Sequence, residues 1–355
     1  MKKVKYVSMQ KDVFIKKLGG YSHFKGVATS LSKLYLVTLV GHHINLISIK
    51  GVMLKNLGLN FYYLRIVCDY IFDLDSDFYI VRKTLLGSLI FSFIYPIKCI
   101  VLKVLKKKQF LIYEYNGISG EFNEKIPVFF RGFFKLINII PTLLSDHTYC
   151  VNDSIRKSLY LHFNADKLFV CENGGPLPID TKIAVAGGKG VAIIFYGGDQ
   201  EHYSIREMVE EVKKNSNIHL HLIGPNLQHY SSSNVFCPGV MDLEQLSLYI
   251  SQLGGMCFGI IPLKNILNDN GARPIKVFDY MSLSLPLLHT EYCLSNFDED
   301  KVFSISYCLF SEVFPKIESL TLGSYNQMRN EVKLSYARYQ WDRTLEPLFE
   351  IINKK

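Results

Sequence analysis

Short apolar runs alternate with amphipathic stretches along the whole chain. Runs of about four to eight apolar residues, bounded by Gly, Pro, Asn or Asp, are typical of buried strands. The strands predicted in the first half are Lys5–Met9, Tyr35–Val40, Asn60–Val67, Phe78–Val81, Phe110–Tyr115, His147–Val151 and Lys167–Cys171. Those predicted in the second half are Val191–Tyr196, His219–Ile223, Asn234–Cys237 and Met256–Pro262. Strands that alternate with helices predict parallel sheets of the α/β class.

Helical patterns fill the intervals between these strands. The predicted helices are Phe24–Leu34, Leu85–Lys106, Phe129–Leu144, Ser154–Leu161, Ser204–Lys214, Leu243–Gln252 and a last stretch, Gln327–Asn353. A Pro- and Gly-rich connector at 176–190 separates two such series and marks a domain boundary. Because 355 residues exceed a usual single core, we expect two domains, residues 1–178 and 179–335.

Composition narrows the class of protein and of partner. Apolar residues make up 48% of the chain, which excludes general disorder. The net charge of +8 favours anionic substrates or a membrane surface. No short segment combines dense Lys and Arg with aromatic residues, so nucleic acid is not an expected partner. The eight cysteines form no CxxC pair, which predicts free thiols in a reducing, cytoplasmic compartment and no zinc site.

The segment Leu85–Leu105 is strongly apolar and precedes a Lys-Lys-Lys run at 106–108. Pro96, Lys98 and Lys103 interrupt it, whereas a membrane-spanning helix needs about 20 apolar residues. A crossover helix packed within a domain is the simplest interpretation. A helix lying on the bilayer surface is a second one, and a spanning helix is the least favoured.

The segment Arg273–Met281 follows an apolar strand and a polar loop, and it has the pattern of a helix start. Proline is favoured at the first helical position, so Pro274 is expected to open the helix. The free N–H groups and partial positive charge of a helix N-terminus suit an anion, and Arg273 and Lys276 add two cations. Asp279 lies on the same face as Lys276. Cations for a diphosphate beside a carboxylate for hydroxyl groups predict a nucleotide-sugar site.

These residues also have purely structural interpretations. Arg273 and Lys276 can be surface cations of an ordinary helix, and Asp279 can be a simple ion-pair partner of Lys276, worth ~0.2–0.5 kcal/mol. Asn116-Gly117 can be no more than a turn. The acidic run Asp73–Asp77 has carboxylates at alternate positions that suit Mg²⁺ on a diphosphate, but a polar turn before the next strand is the favoured interpretation.

Several short motifs, each present once, are spread along nearly the whole chain. They are Gly19-Gly20-Tyr21-Ser22-His23, predicted as a loop, Asp77–Arg82, Glu114-Tyr115-Asn116-Gly117, Asn173-Gly174, Tyr196-Gly197-Gly198, Leu222-Ile223-Gly224, Pro274–Pro286 and Trp341. In this order they resemble the GT-B glycosyltransferases, close to the large retaining family 4. The resemblance implies a GT-B fold, in which two Rossmann-like domains face a central cleft. It also implies that a C-terminal helix, 336–355, packs back on the N-terminal domain.

The resemblance implies a role for each matched residue. Lys276, Arg273 and Glu114 are the expected catalytic residues. Expected donor-binding residues are Gly19, Gly20, Gly198, Gly271, Ala272 and Asp279. His23, Arg82 and Asn116 are expected near the acceptor or the transferred sugar. No metal or other cofactor is expected, because cations and helix N–H groups stabilise the charge that develops on the leaving diphosphate.

The sequence departs from the family pattern in three ways. The family pairs the position of Asp279 with a second acidic residue, at the place where this chain has Gly271. Asp199 and Gln200 stand where the family usually has Arg and Lys, and Ser284 stands where glycine is common.

The implied function is transfer of a sugar, with retention, from a UDP-sugar or GDP-sugar to a glycan or polyprenyl-linked acceptor. Bacterial surface polysaccharide synthesis is the expected setting, at the inner face of the cytoplasmic membrane. A nucleotide-sugar 2-epimerase, which needs no acceptor, and a non-catalytic nucleotide-binding GT-B protein are the alternatives. A dinucleotide dehydrogenase is less favoured, because no G-x-G-x-x-G follows the first strand.

Overall fold

The computed structural model describes residues 1–9, 19–44, 48–58, 61–82, 85–116, 139–181, 190–264, 274–291, 293 and 301–355. The chain divides into two compact units. The first unit is Met1–Asn173 with Trp341–Lys355, and the second is Gly174–Gln340. The predicted boundaries, at 178/179 and 335/336, lie within a few residues of these.

Each unit is built on one sheet whose strand pairs all run parallel. The first sheet has the order β3-β2-β1-β4-β5-β6-β7, and the second β10-β9-β8-β11-β12-β13. The strands are β1 Lys3–Ser8, β2 Leu36–Gly41, β3 Val52–Asn56, β4 Phe78–Arg82, β5 Phe110–Tyr115, β6 His147–Cys150, β7 Leu168–Val170, β8 Val191–Tyr196, β9 Ile218–Ile223, β10 Val235–Gly239, β11 Met256–Ile261, β12 Leu287–Thr290 and β13 Ser304–Tyr307.

Helices lie between the strands and at the C-terminus. They are α1 Gly19–Ser32, α2 Tyr62–Phe72, α3 Leu85–Val104, α4 Asp153–Leu159, α5 Ile205–Val212, α6 Leu243–Leu253, α7 Ile275–Ser282, α8 Val313–Glu318, α9 Leu322–Tyr336, α10 Trp341–Thr344 and α11 Glu346–Lys354. Residues 139–144 are also helical. The predicted class, two parallel α/β domains, is confirmed.

Successive strand residues point to opposite sides of the first sheet, and both faces of its central strands are buried. Tyr6 of β1 packs in one cluster with Phe24 of α1 and Trp341 of α10. Val7, the next residue, packs in the opposite cluster with side chains of α2 and α3. A parallel sheet covered by helices on both faces is the Rossmann-like arrangement, and it explains why the strands appear in the sequence as nearly continuous apolar runs.

The C-terminal segment belongs to the core of the first unit. Trp341 is only 6% exposed, and its indole lies so close to α1 that a Cβ on Gly26 would come within 2.0 Å of it. At the other end of the segment, the Lys2 ammonium donates to the Ile352 carbonyl at 2.5 Å. Helices α10 and α11 therefore cover part of one face of the first sheet, which contains the N-terminal strand β1.

Several predicted elements are wrong. The stretch Asn60–Val67 was predicted as a strand, but α2 occupies Tyr62–Phe72, and its buried residues Tyr62, Ile66 and Tyr70 recur at helical spacing. Strand β3 was missed because its residues are mostly exposed at the sheet edge. Gly19-Gly20 does not lie in a loop but opens α1.

The last helical stretch is also not continuous. The pattern across Gln327–Asn353 predicted one helix, whereas α9, α10 and α11 are separate, with a 3₁₀ turn at Ala337–Tyr339. The chain passes from the second unit to the first at 340/341, so consecutive turns pack on different cores.

Helix α3 is packed rather than spanning. Lys98, in the middle of its apolar sequence, is buried and donates to the carbonyls of Tyr70, Ile71 and Asp73 at 2.7, 2.9 and 2.5 Å. These acceptors end α2, where a cation satisfies free carbonyls. Within the described part of the chain, no helix combines the length and the apolarity that a bilayer crossing requires.

The Trp341→Ala variant tests the C-terminal packing. Because the indole fills the space beside Gly26 in the first unit's core, its removal should lower the free energy of unfolding by about 3–5 kcal/mol. Urea unfolding followed by circular dichroism measures the change. Leu334→Ala, at a position 66% exposed on α9, is the control and should cost far less. Equal losses in the two variants would contradict the packing described here.

Candidate active site

A buried carboxylate lies at the carboxyl end of the first sheet. Glu114 of β5 is fully buried. Its Oε2 accepts hydrogen bonds from the hydroxyl of Tyr6 on β1 at 2.5 Å and from the hydroxyl of Tyr149 on β6 at 2.6 Å. Because parallel strands all end at the same edge, residues distant in sequence converge on this one side chain.

The other oxygen of Glu114 meets three residues that the sequence also singled out. His23 Nε2 lies 2.8 Å from Oε1, Arg82 Nε lies 3.6 Å from it, and the Asn116 amide donates to it. The structure thus brings together Glu114, His23, Arg82 and Asn116, which the sequence placed on three separate elements. All four belong to the first unit.

His23 is held on its other sides as well. Its Nδ1 lies 2.9 Å from Oδ1 of Asn173, and its ring meets the indole of Trp341 edge-on at 4.9 Å between centroids. The motif residues Asn173 and Trp341 therefore orient this imidazole.

The surroundings of Glu114 keep it ionised. Burial alone would raise its pKa, but the charges of His23 and Arg82 and the hydrogen bonds from His23 and Tyr149 lower the pKa to about 2. A carboxylate with this many donors is fixed in place. In this geometry Glu114 orients His23 and Asn116.

In the second unit, two glycines bring the ends of β8 and β9 together. Gly224 has φ +157, and a Cβ there would lie 2.0 Å from the Gly197 carbonyl oxygen. Gly197 has φ +152, and a Cβ there would lie 2.4 Å from Nζ of Lys276. Only residues without a side chain allow this close approach. The Lys276 ammonium therefore lies directly against the loop that follows β8.

Lys276 lies in an aromatic environment. Its Nζ is 3.7 Å from the ring centroid of Tyr203 and 4.1 Å from that of Phe195. The nitrogen is buried and makes no hydrogen bond to any described residue. Burial lowers its pKa to about 7, although the nearby Asp279 opposes this. Burial likewise raises the pKa of Asp279 to about 7.

Helix α7 is fixed to the sheet by Tyr280. Its hydroxyl donates to the Ile260 carbonyl at 3.1 Å and accepts from the Tyr196 N–H at 2.9 Å. The ring packs on Gly259, where a Cβ would come within 2.3 Å of it. This packing holds Lys276 and Asp279, one helical turn apart, at the carboxyl ends of β8 and β11.

Other predicted site residues are placed as follows. Arg273, Gly271 and Ala272 lie outside the described residues. Gly198 is buried in the loop after β8, and Gly19 and Gly20 form the first turn of α1. Pro274 precedes α7 rather than forming its first residue, because its ψ of 140° is extended. The roles predicted for these residues stay predictions.

One of the departures from the family pattern has a structural explanation. Ser284 adopts φ +57, the left-handed conformation that glycine adopts at lower cost, so the backbone there keeps the shape that favours glycine. Asp199 accepts a hydrogen bond from Tyr230 at 3.1 Å.

The acidic run Asp73–Asp77 forms a turn between α2 and β4. Asp73 lies 3.0 Å from the Lys5 ammonium, and Asp77 accepts from the Lys3 N–H at 2.8 Å. Asp75 is exposed to solvent. The side chains thus hold the turn to β1. Among the described residues, no three His, Cys, Asp or Glu side chains cluster as metal ligands.

The sequence did not single out Tyr6, Tyr149, Phe195 or Tyr203 as parts of either site. Each is an aromatic residue in or beside a strand, where core packing is the ordinary interpretation. Their hydroxyl groups and ring faces matter only through neighbours distant in sequence. The sequence did contain an indication for Gly197, because it lies in the Tyr196-Gly197-Gly198 motif. The residue predicted from that motif to bind the donor is Gly198.

No family profile and no curated protein matches this sequence. Solved structures match it over its whole length. HepE of Anabaena, in complex with UDP and glucose, has a TM-score of 0.66 at 8% identity over 100% of both chains. WaaG, a glycosyltransferase involved in lipopolysaccharide biosynthesis, has a TM-score of 0.60 at 10% identity over 99% of both. WaaB, a lipopolysaccharide outer core galactosyltransferase, has 0.59 at 11% over 99% of this chain and 100% of its own. The chain has the GT-B fold.

The Glu114→Gln variant tests the buried carboxylate. Because the folded pKa of about 2 lies below the ordinary 4.5, the carboxylate contributes stability fully above about pH 4.5 and loses it as the pH falls through about 2. The contribution is about 3 kcal/mol near neutral pH. Urea unfolding at about pH 7, 4 and 3 should show a decline in wild type that the variant lacks. Glu350→Gln, exposed in the same unit, should keep the wild-type decline, and a decline unchanged in Glu114→Gln would contradict the assignment.

Proposed function

We propose that this protein is a glycosyltransferase that transfers a sugar from a nucleotide-diphosphate donor, a UDP-sugar or GDP-sugar. The acceptor is a glycan or a lipid-linked saccharide in bacterial surface polysaccharide synthesis, and the anomeric configuration is retained. The reaction takes place at the inner face of the cytoplasmic membrane. HepE shares the fold and is described in complex with UDP and glucose, which supports the class of donor. WaaG and WaaB share the fold and are described as a glycosyltransferase and a galactosyltransferase, which supports the class of reaction.

The buried ammonium of Lys276 carries this proposal. It lies at the carboxyl edge of a parallel sheet, where ligands of such sheets bind, and it is flanked by glycine backbone that a phosphate can approach closely. Among the described residues it has no hydrogen-bond acceptor. A diphosphate would supply one. Asp279, on the next turn, would accept hydrogen bonds from donor hydroxyl groups.

The proposed chemistry is electrostatic. As the bond to the sugar breaks, negative charge develops on the diphosphate. Lys276, with Arg273, would stabilise that charge without a metal ion, and loss of such a contact costs about 3–4 kcal/mol in comparable oxyanion sites. In the first unit, Glu114 would act by orienting His23 and Asn116 toward the sugar and acceptor.

The Lys276→Ala variant tests the donor site. Because it removes the cation that would meet the diphosphate, we expect UDP and GDP to bind at least about tenfold more weakly and transfer to fall about 100-fold or more. Thermal shift with UDP, GDP and their sugars measures binding, since a ligand of the native state raises Tm. Lys213→Ala, on the exposed face beyond α5, is the control and should respond like wild type.

Two results of the same screen would change the assignment. Unchanged kinetics in a folded Lys276→Ala protein would remove the donor site from α7. Interconversion of free UDP-sugars without any acceptor would indicate a 2-epimerase, and nucleotide binding without turnover would indicate a non-catalytic protein.

An exposed apolar surface supports contact with a membrane. Along α3, Phe93, Ile97, Ile100 and Val104 are 76, 58, 65 and 75% exposed and recur on one helical face. Lysines at 103 and 106–108 lie at the end of this helix. An apolar stripe beside a cluster of cations is the pattern of a helix that lies on an anionic bilayer, and such a surface would bring a lipid-linked acceptor within reach.

Vesicle flotation tests this surface. The protein should float with vesicles that contain phosphatidylglycerol at low salt, and less at high salt, because the lysine contribution is screened. Replacing Ile97 and Ile100 with Ser should reduce flotation several-fold. The matched control replaces Leu248 and Leu334, which are equally exposed in the second unit, with Ser. Failure of the wild-type protein to bind at low salt would remove the membrane from the proposal.

A further inference from the structure

Two buried lysines in this protein differ in the hydrogen-bond acceptors around them. Lys98 donates to three carbonyls at the end of α2. Lys276 lies against the ring faces of Tyr203 and Phe195, at 3.7 and 4.1 Å, and finds no hydrogen-bond acceptor among the described residues. Among the described residues, Lys98 therefore has hydrogen-bond acceptors, whereas Lys276 has none.

Aromatic faces are a weak substitute for hydrogen bonds. A ring face attracts a desolvated cation by only about 2 kcal/mol, less than the cost of removing a charged amine from water. The rings therefore fix where the amine lies but only partly stabilise its charge. Gly197 leaves the backbone beside the amine open, because a Cβ there would lie 2.4 Å from Nζ.

We propose that Tyr203 and Phe195 are positioning residues that hold the Lys276 amine where no described residue accepts a hydrogen bond from it, so that binding of a nucleotide sugar is coupled to net proton uptake. The proposal rests on the donor site assigned above. The diphosphate would supply a hydrogen-bond acceptor, and the amine would then carry its full charge. Affinity for the donor should accordingly depend on pH.

The titratable groups around Lys276 fix the sign of this coupling. They are Asp279 on α7, Cys293, and His202, which precedes Tyr203 and also lies near Lys264. Burial lowers the pKa of Lys276 to about 7 and raises that of Asp279 to about 7, and the charge of each residue opposes the shift of the other. An anion raises the pKa of every nearby group. Binding must therefore take up protons, and affinity must fall as the pH rises through neutrality.

Calorimetry with UDP-glucose measures the uptake directly. Both phosphoryl groups of this probe are esterified, so it does not itself titrate near neutral pH, and GDP-mannose extends the test to the other base. Binding heats compared in buffers of different ionisation enthalpy give the number of protons exchanged. Wild type should show net uptake between about pH 6.5 and 8.5, with affinity roughly fivefold weaker at the upper end.

Variants distinguish the positioning effect of the Tyr203 ring on Lys276 from a general effect on packing. Tyr203→Phe keeps the ring and should keep the uptake, whereas Tyr203→Leu should admit water, return Lys276 toward ordinary ionisation and lose most of the uptake. Lys276→Met combined with Asp279→Asn removes both members of the pair and should abolish it, which excludes His202 as its source. Tyr249→Leu, at a partly buried tyrosine on α6, is the control and should behave like wild type.

The outcomes distinguish this inference from the proposed function. Binding of a nucleotide sugar without proton uptake, or an uptake unchanged in Tyr203→Leu, would overturn the positioning role and leave the donor site intact. Absence of any binding by either nucleotide sugar would overturn both.

Discussion

Burial of charge at the carboxyl ends of parallel strands is the constraint on which the sites of this protein depend. A parallel sheet covered on both faces leaves little room for charged groups except at its ends, where all strands stop together. Glu114 and Lys276 are both such groups, each at the edge of its own sheet. What each can do is decided by the partners that the fold provides.

The first sheet provides everything Glu114 needs. Two tyrosine hydroxyls, an imidazole, a guanidinium and an amide surround it, so the carboxylate stays ionised and immobile. A charge satisfied in this way organises its neighbours rather than reacting. Several elements offset the free-energy cost of burying this charge, since β1, β4, β6 and α1 each contribute a side chain and Asn116 directly follows β5. The core packing of Trp341 beside His23 then links the C-terminal segment to the same cluster.

Lys276, in the second unit, has the opposite kind of surroundings. Two rings and Gly197 define where the amine lies, but no described residue accepts a hydrogen bond from it. The absence of a side chain at Gly197 allows the backbone and the amine to come so close, and Gly224 likewise allows the ends of β8 and β9 to meet. An unsatisfied buried amine is costly for folding, and that cost is understandable where a ligand supplies the missing partner.

The sequence by itself determined the class of fold and most strands, because buried parallel strands are continuous apolar runs with clear ends; Phe110–Tyr115 and Val191–Tyr196 match residue for residue. It also pointed to Glu114, His23, Arg82, Asn116 and Lys276 through motifs at strand and helix ends. It failed at the exposed edge strand β3 and at α2, where burial is set by neighbours distant in the chain. Only the tertiary structure decided that Tyr6 and Tyr149 saturate Glu114 while Phe195 and Tyr203 isolate Lys276. The physical reason is that the state of a buried charge depends on its spatial neighbours, and an aromatic residue in a strand has the same local pattern whether or not it meets one.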